Sequence, residues 1–574
     1  MSRTRTRFPD PGRPLVALAC LLLGGALTAQ AQVVLVPSSP QVGSSNPISA
    51  EPPVPRPQGH ACVVQLFQNL RFADFTPKTF GYAPPSDCPG PWARVVFTAD
   101  FTVTAGRQFD RTAAFYLGHA SIYYGTTAEP RAALSPSWHV ERDVTDLTPI
   151  FTLVQSGEAN IGNFVGVSGG VTYNGIIYAS AALEFYPVSS AERAPRTPDM
   201  VVPVTGAGGD AGTLNGTASQ ITQTLILPTN VERAYLDVIA QSQSNDEFWY
   251  FCVPSDQAMH LQSCGNTPWR ETEVTIDGQP AGVAPVYPWI YTGGIDPYLW
   301  EPIPGVQTLD FRPYRVDLTP FAGVLSDGNP HVLGISVYNA DSYFLATANL
   351  LLYTDHGARR VTGGLLSSTL TGASAPVVAE HIQVNPSGPT YTGTISVSSG
   401  REFAISGYVD TSHGRVQTTL EQTVSFLNRQ EFDVSPSADI QNVQQATTVD
   451  SRVSTRAGST VSTREQRFSY PLRIDFSFVV NADGSLTQTT TSDQRDVVRA
   501  SGGPGARNEE SSLDNEVRAT DTLSYDSGGN FLGPSGSMTT QTYRVRDASG
   551  NCYSRTLKAQ AQKLVSVSDG GGCQ

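Results

Sequence analysis

Lysine is almost absent from this chain of 574 residues; Lys78, Lys558 and Lys563 are the only three. Basic charge therefore rests on arginine, whose planar guanidinium makes bidentate contacts that an ammonium cannot. Charged residues of both signs reach only 15%, and the net charge is −14. That balance excludes a general nucleic-acid binder, which neutralises phosphates with basic patches. At 39% hydrophobic the chain is too apolar to be disordered, and no regular glycine repeat suggests collagen. No apolar run is long enough for a comfortable transmembrane helix. The common catalytic signatures are missing too: there is no HExxH, no GxSxG, no P-loop and no GxGxxG after a strand. The eight histidines are scattered, so a lone His119 or His260 reads as a hydrogen-bonding residue rather than a metal ligand.

What is present points to strands. Gly (52) and Pro (41), with abundant Thr, Ser and Val, imply many turns between short strands, an all-β chain. No amphipathic helix of four turns is found. Arg3, Arg5, Arg7 and Arg13 precede the apolar run Leu15–Leu27 and Ala29-Gln30-Ala31, the layout of a secretory signal cleaved after residue 31. Lipidation at Cys20 fits less well, because Ala17-Leu18-Ala19 lacks the usual Leu and the apolar run continues past it. A secreted or periplasmic protein, with disulfides permitted, is expected. Six cysteines remain, in three local pairs, and the economical pairing is Cys62–Cys88, Cys252–Cys264 and Cys552–Cys573. None has CxxC spacing, so zinc is disfavoured.

The Pro/Ser-rich stretch over residues 32–60 reads as an extended lead-in. Alternating apolar positions then suggest three β domains, over 61–195, 196–355 and 356–574. The strands Ala234–Ala240, Leu333–Val337, Leu350–Tyr353 and Leu472–Val480 are the clearest. The polar, Gly-rich stretch Ser501–Asn515 reads as a surface loop.

Carboxylates beside aromatic residues and arginines are the chemistry left. In Gly106-Arg107-Gln108-Phe109-Asp110-Arg111, Asp110 can be held ionised by a neighbouring guanidinium, or can be a strand-end salt bridge. Glu129 and Arg131 follow closely. In Asn245-Asp246-Glu247-Phe248-Trp249-Tyr250, a strand would point Asp246 and Glu247 to opposite faces. Only one then enters a site, where aromatic walls would raise its pKa and suit it to acid catalysis. In Tyr291–Pro302, Gly293-Gly294 allows close backbone approach, while Trp300 beside Glu301 suits a sugar or, equally, a buried core.

The same segments carry a resemblance. "GRQFDR", "TAEPR", "NDEFWY", "YTGGIDPYLWEP" and, nearer the C-terminus, "GYVDTSHGRVQTT" resemble the peptide:N-glycanase A type of peptide-N4-(N-acetyl-β-glucosaminyl)asparagine amidase, here as a secreted bacterial member. The resemblance runs from Cys62 to Thr419 and departs after Asn428. It implies hydrolysis of the amide between an N-linked glycan and Asn, giving a glycosylamine and Asp. It also implies tolerance of core α1,3-fucose, an acidic working range, no cofactor, a glycopeptide or glycoprotein substrate, no nucleic-acid or membrane partner, and a monomer. The related peptide:N-glycanase F type implies two packed jelly rolls with the site at their junction. On that likeness Asp110 is matched to the essential Asp, beside Arg107 or Arg111, and Glu247 to a second carboxylate. Glu129, Asp246 and Glu301 are further candidates for substrate binding, and Trp249 and Trp300 would stack on the sugars. A glycoside hydrolase and a non-catalytic glycan-binding β protein remain the rival classes.

Overall fold

Period-two alternation governs almost every element, and the computed structural model turns it into antiparallel sheets. The structure describes residues 39–190, 192–206, 209–373, 375–385, 388–503 and 510–570. The expected signal over 1–31 and Cys573, the expected partner of Cys552, lie outside the described residues.

Between Cys62 and Pro187 two four-stranded sheets face each other. One runs in the order Cys62–Phe72, Ile177–Pro187, Trp92–Val103, Ser137–Asp143. The other runs Lys78–Tyr82, Gln155–Ile161, Thr112–Leu117, Ala120–Thr126. Phe97 and Phe101 of the first meet Phe115 and Tyr123 of the second in an aromatic core, and Trp138 stacks on Phe101 at 5.1 Å. Each such buried ring contributes on the order of 1.5–3 kcal/mol.

A second pair of sheets lies between Met200 and Thr354. The strand Val231–Gln243 sits between Tyr343–Thr354 and Tyr314–Asp317. Ala234, Leu236, Val238 and Ala240 all face inward, toward Ile335 and Val337 of the opposing sheet.

From Thr362 to Asp569 the chain forms one sheet of eleven strands. Thr390–Thr411 and Gly414–Ser435 pair residue for residue along their length, about 70 Å at the usual rise per residue. On Gly414–Ser435 every second residue is buried, but the row is not purely apolar: Asn428 and Gln430 lie among Val424, Phe426, Phe432 and Val434. Buried amides require partners, and those partners prove to be the loops of the candidate site.

Two expectations change. The lead-in, described from residue 39 on, is extended, but it is bound to the sheets it passes. Gly43 N donates to Leu564 O at 2.7 Å, Ala50 N to Gln541 Oε1 at 2.7 Å, and Arg56 pairs with Glu141 and Glu184. The described part of Ser501–Asn515 is strand, because Leu486–Gly503 pairs with Glu510–Tyr525, while residues 504–509 lie outside the described residues. Its polarity belongs to a sheet with one wet face, a pattern easily read as a loop.

Two of the three cysteine pairs are joined: Cys62–Cys88 with Cα atoms 6.1 Å apart and Cys252–Cys264 at 4.4 Å. The second closes a loop just after the Glu247 turn. Replacing both Cys252 and Cys264 by Ser should lower stability by about 2–4 kcal/mol. Denaturant unfolding checks this, and an unchanged midpoint would show the bridge to be dispensable.

Candidate active site

The site begins where two strands of the first sandwich end. Beyond the pair Thr112–Leu117 and Ala120–Thr126 the ladder continues for one more step, with Thr127 N donating to Arg111 O at 2.8 Å and Arg111 N to Thr127 Oγ1 at 3.0 Å. That step sets Asp110 beside Glu129: the Asp110 N–H donates to Glu129 Oε2 at 3.2 Å. The second sandwich supplies the other wall. Gly293 N donates to Asp110 Oδ2 at 2.7 Å, and Thr292 Oγ1 accepts from Glu129 N at 2.9 Å while donating to Thr127 O at 3.0 Å. A Cβ on Gly293 would collide with Glu129 Oε2, so a side chain here would push the Glu129 carboxylate aside.

Glu247 enters from a turn rather than a strand. Val231–Gln243 ends in the tight turn Ser244–Asp246, with Ser244 at φ 57°. This left-handed residue, like Ile295 at φ 64° on the opposite loop, sits in a region costly for side chains with a Cβ. Held strain of this kind clusters at functional sites.

Asp110, Glu129 and Glu247 are half-buried and feel one another's charge. Glu247 is pushed up to about 8, by burial first and then by the charges of Asp110 and Glu129. Glu129 is pushed up to about 7 by burial and by Asp110. Asp110 is also raised, because burial outweighs the Gly293 N–H and the Arg111 charge. The sequence expectation of an Asp110 held low by arginine is therefore corrected: Arg111 donates to the Asp110 backbone carbonyl at 3.0 Å, not to its carboxylate. Coupled groups titrate as a set. Asp110 and Glu129 each have a backbone donor on the carboxylate and a cation nearby, whereas burial and like charge act unopposed on Glu247, so Glu247 is the member best kept protonated.

The remaining candidates divide clearly. Asp246 is wholly buried, paired with Arg270 at 2.8 Å, and accepts from the Asp341 and Ser342 backbone N–H groups. Trp249 and Trp300 are core side chains, 1% and 2% exposed, and neither offers a free ring face; Trp300 Nε1 donates to Gly294 O. Glu301 accepts from Arg131 at 3.1 Å. Arg107 is exposed, over the ring of Tyr173, and Phe109 is the exposed aromatic next to Asp110, 39% open. Among the described residues no group of three or more His, Cys, Asp or Glu is placed to hold a metal. One cavity, about 1120 Å³, lies far along the C-terminal sheet and contains none of these residues. Some of its charges pair with one another, as Arg467 does with Asp450 at 3.4 Å and Arg452 with Glu465 at 3.8 Å.

What the sequence did not reveal is how the third sheet holds the site. Asn428, Gln441 and Gln430 donate to the carbonyls of Tyr250, Phe251 and Cys252, each at 2.9 Å, and are linked to each other through Gln430. They fix the segment that follows Glu247. Gln488 and Thr539 hold the other loop, donating to Ile295 O at 3.2 Å and Leu299 O at 2.7 Å. The signal was there in alternate amides on one strand face, at Asn428 and Gln430.

Carboxyl groups with differing protonation, gathered where two β-sandwiches meet, are the equipment of a hydrolase. Residues 52–370 match the family described as "Peptide N-acetyl-beta-D-glucosaminyl asparaginase amidase A", and residues 394–472 match the "PNGase_A C-terminal domain". The chain therefore belongs to the peptide N-acetyl-β-D-glucosaminyl asparaginase amidase A family and is an amidase of that class. The likeness begins ahead of Cys62 and passes Asn428, so the expected departure there is corrected. The chain is 28% identical over 514 residues, 86% of either chain, to peptide-N4-(N-acetyl-β-glucosaminyl)asparagine amidase A of Prunus dulcis. Among solved structures, PNGase F, a glycosylasparaginase from Flavobacterium meningosepticum, is 14% identical, with a TM-score of 0.34 over 52% of this chain and 96% of that one. PNGF-II is 14% identical with a TM-score of 0.37, and this chain covers 52% of itself and 66% of that protein's length.

The neighbours Asp246 and Glu247 should separate by experiment. Asp246→Ala strands Arg270 as a buried unpaired charge and should cost about 3–5 kcal/mol. Glu247→Gln replaces a largely protonated acid by its isostere and should leave stability intact. Chemical denaturation of both variants checks the contrast, which equal losses would contradict.

Proposed function

We propose that the chain hydrolyses the β-aspartylglucosaminyl amide of N-linked glycopeptides and glycoproteins, releasing the glycan as a glycosylamine and leaving Asp in the peptide. The observation that carries this reading is the trio Asp110, Glu129 and Glu247 at the junction of the two sandwiches, in a chain of this family. Asp110, the anion, orients and deprotonates the attacking water. Glu247, kept protonated, polarises the amide carbonyl or protonates the leaving nitrogen. Glu129 binds beside them and, by its proximity, helps keep Glu247 protonated. Core α1,3-fucosylated glycans as substrates, a mildly acidic working range and a secreted or periplasmic monomer belong to the same proposal.

An acid must be protonated to work, so the rate should fall as pH rises through about 8, the value of Glu247. Asp110→Asn and Glu247→Gln should each lower kcat by roughly 10²–10⁴-fold, with the high-pH limb lost in Glu247→Gln. Mass spectrometry of a digested glycopeptide tests the reaction class. A peptide with Asn converted to Asp supports the amidase; a GlcNAc left on Asn points to a glycoside hydrolase, and unchanged glycopeptide to a binding protein. Near-normal turnover in Asp110→Asn would overturn the assignment of roles.

A further inference from the structure

Asp296 follows Gly293 by three residues on the loop that approaches Asp110, and it is completely buried. Its Oδ1 accepts from Tyr298 N at 2.9 Å, capping the short turn Pro297–Trp300. Among the described residues its Oδ2 has no donor. Facing it is Asp521, on the strand Glu510–Tyr525 of the C-terminal sheet and 1% exposed. Asp521 Oδ1 accepts from Ser537 Oγ, and its Oδ2 likewise has no donor. The two side chains are within hydrogen-bonding contact of each other. An ionised carboxylate only accepts, so these two groups can bond only if one carries a proton.

The other groups around the pair do not remove that requirement. Arg131, the cation that reaches Asp296, is committed to Glu301 at 3.1 Å. From the C-terminal sheet the nearby titratable group is Tyr525, itself pushed up by burial first and by the Asp296 charge second. The loop's other ties to that sheet, from Gln488 to Ile295 O and from Thr539 to Leu299 O, are neutral.

We propose that Asp296 and Asp521 are positioning residues that share one proton, clamping the Gly293 loop to the C-terminal sheet and so holding the Gly293 N–H on Asp110. This rests on the reading of Asp110 as the working carboxylate, but the clamp itself is a property of the loop. Burial, and then the charge of Asp521, push Asp296 up to about 7. The sign follows from linkage: the folded value lies above the ordinary carboxylate range. The clamp is therefore at full strength below about pH 4 and is lost as pH rises through about 7.

Activity alone cannot separate the clamp from Glu129 and Glu247, which titrate nearby. The test is hydrogen exchange by mass spectrometry on the full chain, following peptides over residues 291–301 at about pH 5 and about pH 8.5, corrected for intrinsic exchange. Wild-type protection should fall by about tenfold or more across that interval. In Asp521→Asn the amide donates to Asp296 Oδ2 without a titrating proton, and the carbonyl still accepts from Ser537, so protection should become independent of pH. Asp296→Asn, which places the amide on the loop side, should behave in the same way. Wild-type protection that does not change with pH overturns the clamp even if both variants fail to fold, as does a folded variant that keeps the wild-type pH dependence. Glycopeptide digestion run in parallel keeps the two readings apart: pH-dependent exchange in a protein that releases no glycan supports the clamp and refutes the amidase proposal.

Discussion

Three carboxyl groups crowded at one junction repel each other, and the rest of the structure is arranged around that repulsion. Like charges in a partly dry cleft cannot all ionise near neutrality. Asp110 has the one backbone N–H given by Gly293, whereas Glu247 has aromatic neighbours, Tyr250 and Tyr291, whose own acidities its charge disturbs. Under the proposed roles, environment divides one residue chemistry into a base and an acid. Among the described residues no arginine is bonded to a carboxylate of the cluster, since Arg111 turns to a backbone carbonyl and Arg131 to Glu301. A guanidinium bonded to Glu247 would pull its pKa down and erase the difference.

Such a cluster holds its geometry only if the loops bearing it cannot relax apart. Both arms contain a non-glycine residue in the left-handed region, Ser244 and Ile295, and neither conformation would persist in a free loop. The long C-terminal sheet supplies the restraint. Its inward face replaces part of a hydrophobic row with amides, and those amides take the carbonyls of residues 250–252. A buried polar row of this kind is worthwhile only when fully partnered. Here the partners are the backbone groups that the site loops would otherwise leave unsatisfied.

The fold was legible where alternation met a dry face and a wet one, as at Ala234–Ala240 and Leu472–Val480. It was not legible at Ser501–Gly503 and Glu510–Asn515, strand ends with the composition of a loop. Within the site, Asp110 and Glu247 stood out because an aromatic residue adjoins each carboxylate in sequence. The same reasoning promoted Trp249 and Trp300, which the structure buries in the core; a Trp beside a carboxylate looks alike whether it lines a site or a core. Adjacency also left Asp246 and Glu247 undecided until the turn at Ser244 separated them. The closeness of Glu129 to Asp110 depends on the single extra ladder step at Arg111 and Thr127, and the approach of Gly293 on a contact between sandwiches. Local pattern does not encode either.

In the proposed reaction this carboxylate cluster directs water onto the carbonyl carbon of a glycosylated Asn side chain. Digestion of a glycopeptide in oxygen-18 water locates the attack directly. The label should appear in the new Asp carboxylate of the peptide, and its incorporation should collapse in Asp110→Asn while the fold survives. Label on the anomeric carbon of a sugar in freshly released product, with the peptide unlabelled, would contradict it.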